Sequence, residues 1–161
     1  MTMSKSSRLL LVALAFIIIC ELAGAFGSVF TIPSIPTWYA SLAKPSFNPP
    51  NWLFGPVWLI LYALMGISAY LIYEKRKNKA VTGALVVFAV QLVLNVLWSA
   101  VFFGLHSALL GLLTIILLWI AIAITMVKFY GILKQAAWLL IPYLLWVSFA
   151  ALLNFSIWQL N

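Results

Sequence analysis

The chain has 161 residues, 66% of them hydrophobic and 7% charged, with a mean hydropathy of +1.18 and a net charge of +7. These values exclude an ordinary soluble globular domain and describe one all-α integral membrane domain over residues 1–161. A single cysteine, Cys20, excludes an internal disulfide, and the nine Lys and Arg residues are scattered at the ends of apolar runs. That scatter points to anionic lipid headgroups rather than nucleic acid as their partner.

Residues 9 to 30 form the first apolar run, long enough to cross a hydrocarbon core of about 30 Å, with Met1 to Arg8 as its polar flank. Lys5, Arg8, the greasy stretch and Ala23-Gly24-Ala25 imitate a secretory signal peptide. The expectation here is an uncleaved span, because the small residues have another use. Gly24 and Ser28, or Ala23 and Gly27, lie four apart and allow close helix contact. Glu21 is the one intramembrane charge of this run; a functional group, a snorkelling side chain and a bond to a neighbouring helix all fit it.

The stretch Lys44-Pro45-Ser46-Phe47-Asn48-Pro49-Pro50-Asn51-Trp52-Leu53-Phe54-Gly55-Pro56-Val57-Trp58 holds four prolines and two tryptophans. Pro45, Pro49 and Pro50 fix φ and donate no backbone hydrogen bond, so the segment is stiff and non-helical. Pro56 instead suits the first turn of a helix, which would turn Trp58 inward one turn below the loop. The stretch is therefore expected to be a preformed lid with an aromatic underside. An interfacial aromatic belt accounts well for Trp52 but poorly for the density of prolines.

Further spans are expected at residues 56–73, 81–105, 108–127 and 136–160. The connections are the charged Glu74 to Lys79, a tight turn at Gly104 to Ser107, and a short basic link from Lys128 to Gln135. Pro142 marks either a kink or a late helix start. Five spans place Lys5, Arg8, Lys75, Arg76, Lys77, Lys79, Lys128 and Lys134 on one side against Lys44 alone on the other. This bias predicts a cytoplasmic N-terminus, with the lid and C-terminus facing the opposite compartment.

In the third span Gln91, Asn95, Trp98 and Phe102 follow at steps of four, three and four, so they share one helix face. Two readings stay open: amides that tie helices together, or a pocket wall with hydrogen-bonding groups beside an aromatic ring. Ala100 and Gly104, beside that face, would suit a dimer seam. In the fifth span Trp146, Ala150 and Asn154 align, with Tyr143 about a turn before Trp146; in the second span Trp58, Tyr62, Met65 and Ala69 form a stripe. Three aromatic faces beneath a rigid loop predict a cavity for a flat, largely apolar ligand. The chain offers no paired carboxylates, no Ser/His/Asp set and no metal-ligand spacing; His106 reads as an interfacial residue.

At these residues the sequence resembles the tryptophan-rich sensory protein and translocator protein family (TspO/MBR, or peripheral benzodiazepine receptors). The matching text is Trp38-Tyr39, the run Lys44 to Trp58, Leu61 to Gly66, Gln91 to Asn95 with Trp98 and Phe102 to Gly104, and Pro142 to Trp146 with Phe149-Ala150 and Leu153-Asn154. The resemblance implies a five-helix bundle, commonly a homodimer, with a pocket closed by the first long loop and no required cofactor. It implies tetrapyrroles such as protoporphyrin, or other flat hydrophobic molecules, as ligands. Carried over by position, the binding residues would be Trp38, Pro49, Trp58, Asn95, Trp98, Tyr143, Trp146, Ala150 and Asn154. Some bacterial members promote light-dependent oxidative breakdown of protoporphyrin, which would give Trp58 and Trp146 a catalytic part. The sterol motif of animal members needs a tyrosine followed by a basic residue, whereas residues 153–159 here read Leu-Asn-Phe-Ser-Ile-Trp-Gln, so sterol transport is disfavoured. The expected function is a membrane receptor for porphyrin-like ligands; a transporter of such amphiphiles is the alternative, and an enzyme ranks third.

Overall fold

A chain crossing hydrocarbon must satisfy its backbone N–H and C=O groups within the segment, so apolar runs of this length become helices. The computed structural model describes residues 4–161, and within them the chain is helical with no strand. Its helices are α1 (Lys5–Ser34), α2 (Trp38–Ser41), α3 (Phe54–Tyr73), α4 (Ala80–Ser99), α5 (Ala108–Ile132), α6 (Lys134–Trp138) and α7 (Ile141–Leu160). A 3-10 turn, Asn51–Leu53, precedes α3, and a π-helical turn, Ala100–Gly104, prolongs α4. Five helical stretches among the described residues are long and apolar enough to span a bilayer. The protein is a multi-pass integral membrane protein built as a five-span bundle.

The elements depart from the expected bounds in three places. The first span, expected at residues 9–30, runs from Lys5 to Ser34: Ser4 Oγ caps it by accepting from Ser7 N at 3.1 Å, and Pro33 is tolerated in its last turn. Residues 1–3 of the expected polar flank lie outside the described residues. The fourth span does not end at residue 127, and the basic link at 128–135 is mostly helix; only Leu133, with extended backbone, interrupts it. Lysine favours helix, and its aliphatic stem lets the charge reach the interface without ending the helix. The fifth span, expected at 136–160 in one piece, is α6 and α7, with Pro142 in the first turn of α7. Of the two roles open to Pro142, the late start is the one adopted.

α1 packs along α3 and α4, and α5 packs between α4 and α7. Glycine sets the closest approach: a Cβ on Gly66 of α3 would lie 2.5 Å from Ile17 Cα of α1, and one on Gly24 would fall inside the Tyr62 ring. Gly104 likewise faces Phe30 of α1, so its missing side chain serves a contact within one chain. α6 is tied to the bundle by Ser68 Oγ, which donates to Ala136 O at 2.7 Å.

Candidate ligand-binding site

The loop between α1 and α3 holds its shape through its own polar groups. Tyr39 is buried, and its hydroxyl donates to Asn48 Oδ1 at 2.7 Å; Asn48 Nδ2 in turn donates to Pro49 O at 3.1 Å. Burial pushes the Tyr39 phenol up to about 12, against a smaller lowering by the Asn48 bond. Lys44 Nζ lies 4.9 Å over the Tyr39 ring and donates to Ala40 O and Leu42 O. At the far end of the chain Asn161 clasps the loop: its Oδ1 accepts from Ala43 N at 2.9 Å and its Nδ2 donates to Ala43 O at 3.0 Å. Trp52 is 72% exposed, as an interfacial aromatic would be, and it also lines the cavity under the loop.

Beneath this loop lies a cavity of about 520 Å³, within the size range of small-molecule sites. α3 contributes Phe54, Trp58 and Tyr62, with Trp58 stacked on Tyr62 at a ring separation of 5.5 Å. The end of α4 and its π turn contribute Trp98, Phe102 and Phe103; the wider turn, closed by Leu105 N donating to Ala100 O, lets both phenylalanines enter the interior. α7 contributes Ala150, Leu153 and Asn154, and α1 contributes the strip from Glu21 to Ile35. Few polar atoms in the wall are free. Asn154 Oδ1 accepts from Trp98 Nε1 at 3.1 Å, and its Nδ2 donates to Ala108 O at 2.8 Å. Gly111 of α5 makes room behind this pair, since a Cβ there would lie 2.7 Å from Phe102 and 3.0 Å from Asn154 Oδ1.

Of the nine binding residues implied by the resemblance, Trp58, Trp98, Ala150 and Asn154 line the cavity, as do Tyr62 and Phe102 of the aromatic faces. Asn95 and Tyr143 lie behind the wall, 1% and 0% exposed. They belong to a hydrogen-bonded chain in which Tyr62 Oη donates to Asn95 Oδ1 (2.5 Å), Asn95 Nδ2 to Tyr143 Oη (2.9 Å), and Tyr143 Oη to Gln91 Oε1 (2.9 Å). The polar face of α4 is thus divided: Gln91 and Asn95 tie helices together, while Trp98 and Phe102 face the cavity. Trp146 backs Phe54 at 6.0 Å between rings, and its buried Nε1 has no hydrogen-bond partner among the described residues. Trp38 is stacked on His106 at 4.9 Å with its edge to Phe102, and Pro49 sits in the loop as a half-buried acceptor for Asn48. His106 has φ 53°, a left-handed conformation that histidine tolerates better than bulky apolar residues, and its Nε2 is 3.3 Å from Ser34 Oγ.

Sequence reasoning missed the α1 wall. Gly24, Gly27 and Thr31 carry no aromatic or amide signal, and small residues four apart read as packing. Gly24 and Gly27 do pack, against Tyr62 and Ser99, and the thin wall they form with Thr31 lines the cavity.

The model of the TspO/MBR family matches residues 16–159 of this chain. The tryptophan-rich protein TspO of Chlorobaculum tepidum is 50% identical over 144 residues, covering 89% of this chain and 91% of that protein. The translocator protein of Homo sapiens is 38% identical over 152 residues, 92% of this chain and 89% of its own. The tryptophan-rich sensory protein of Cereibacter sphaeroides is 37% identical over 124 residues, 77% of each chain. With a family match running through all five spans and likeness of this extent to bacterial and animal relatives, the chain belongs to the TspO/MBR family.

Proposed function

We propose that the protein is a membrane receptor that binds porphyrin-like tetrapyrroles and similar flat hydrophobic molecules in the cavity under the first long loop. One observation carries this reading: a cavity of about 520 Å³ whose walls are mostly aromatic and aliphatic, beneath a loop held by Tyr39, Asn48 and Asn161. The sensory and translocator names of its relatives support a role in sensing or moving a small molecule. Light-dependent breakdown of a bound porphyrin belongs to the same proposal. Trp58 stands in the wall where an indole can stack on a macrocycle, while Trp146 is one ring removed behind Phe54. A cytoplasmic N-terminus, from the eight basic residues against one, and a homodimer complete the proposal.

Titration of the purified protein with protoporphyrin, followed by quenching of tryptophan emission, tests the reading. Saturable quenching that Ala150→Leu weakens by about tenfold or more supports it, since the larger side chain would occupy the cavity. Quenching that never saturates, or that Ala150→Leu leaves unaltered, overturns it. The transporter reading has one observation in its favour: Ile32 of α1 and Leu59 of α3 line the cavity while 65% and 62% exposed on the bundle's outer surface, so the cavity opens sideways toward lipid. Flux of protoporphyrin into sealed vesicles separates the two readings.

A further inference from the structure

The cavity wall holds one acidic group, placed far from the loop. Glu21 stands in the middle of α1, about 20 Å from its Ser34 end at 1.5 Å per residue. Glu21, Ala25, Ser28 and Ile32 follow at steps of four, three and four, so they form one strip of the helix, and all four line the cavity. Toward the other end the seam between α1 and α3 is shut where the Ile17 backbone meets Gly66. Toward the loop the two helices border a slot, touching again where the Tyr62 ring packs on Gly24, and Glu21 is the α1 lining residue farthest from the loop.

A carboxyl group at this depth is costly unless something hydrogen-bonds or neutralises it. The neighbouring hydroxyls are engaged elsewhere: Ser28 Oγ donates to Ala25 O, Thr31 Oγ1 to Gly27 O and Tyr62 Oη to Asn95 Oδ1. The single ion pair among the described residues, Arg76 with Glu74, lies in the connection after α3. Lys44, on the loop, is held by Ala40 O and Leu42 O and is not part of the cavity wall. The cavity therefore holds an acidic group inside the bilayer and no cation in its wall.

We infer that Glu21 is the recognition group for a cationic or N–H-donating nitrogen on a flat apolar ligand, which lies in the slot between α1 and α3. This assignment rests on the cavity being the ligand site. It makes the slot selective by charge: a nitrogen donor is accepted at the Glu21 end, and a carboxylate there is rejected.

The test uses the full chain in phosphatidylcholine nanodiscs and two probes, pyrene with a butylamine tail and pyrene with a butanoate tail. Binding is read by energy transfer from tryptophan, with empty discs subtracted and protoporphyrin as competitor. The wild type is expected to bind the amine about tenfold or more tighter than the acid. Glu21→Gln should bring the two within about threefold, and Glu21→Asp should keep the preference. Glu21→Met serves as a second neutral variant if the first melts early. The inference is overturned if the wild type shows no preference, if the neutral variants keep it, or if they alter only the oligomeric state. If neither pyrene nor protoporphyrin gives saturable transfer in the wild type, the ligand-site reading itself fails. Protoporphyrin binding with an unchanged amine-to-acid ratio removes Glu21 alone.

Discussion

Trp98 and Asn154 meet across 3.1 Å, indole N–H to amide oxygen, and join α4 to α7 at the cavity wall. The same amide reaches Ala108 O at the start of α5, so one side chain holds three helices in register. Asn154→Leu should lower stability by about 1–2 kcal/mol, because the indole N–H loses its acceptor. Trp98→Phe should cost less from the bond alone, since Asn154 keeps its contact with Ala108. Thermal melting in detergent, with the double mutant to extract the coupling, measures both.

The five spans and the stiff loop are legible in the sequence, because hydropathy over twenty residues and the fixed φ of proline act locally. The face carrying Gln91, Asn95, Trp98 and Phe102 is legible too, as a face. Its division is not, because the partners that claim the two amides, Tyr62 and Tyr143, come from other helices. Trp146 illustrates the same limit. Four residues before Ala150, it shares that residue's face only approximately, and Phe54 takes the place at the wall. The π turn leaves no mark in the periodicity, although it brings Phe102 and Phe103 inside together.

Tyr143 is the hub of the buried polar chain, donating to Gln91 and accepting from Asn95. Tyr143→Phe breaks two bonds, whereas Tyr62→Phe breaks one. The expected losses of stability are about 1–2 kcal/mol and about half that, given the modest worth of hydrogen bonds inside membranes. Tyr143 lies behind the wall, so its variant should retain protoporphyrin affinity within about threefold. A larger loss of affinity than of stability would show that the hub shapes the cavity.

Gly66 and Gly24 test how α1 is held. Gly66→Ala places a methyl group against Ile17 backbone, which has no side-chain rotamer with which to yield. Gly24→Ala meets the Tyr62 ring, which can move only by giving up its bond to Asn95. Both should destabilise by about 1–3 kcal/mol as overpacking does. The second should also weaken ligand binding, because the displaced ring lines the cavity. Melting curves and protoporphyrin titration on the same samples separate the two effects.

The loop should loosen in alkali through Tyr39. Its phenol is raised to about 12 in the fold, chiefly by burial, against the ordinary 10.0. Between those values the unfolded segment releases a proton that the folded one keeps, so the unfolded state binds fewer protons and stability falls as pH rises. Below about pH 10 the phenol is neutral in both states and this contribution is constant. Tyr39→Phe removes the titration together with the bond to Asn48: it should start less stable at pH 8 by about 1 kcal/mol and lose less between pH 10 and 12. Limited proteolysis of the segment around Ala43 across that range reads the difference. Parallel pH profiles for wild type and variant would mean that the loop is held by the Asn161 clasp rather than by Tyr39.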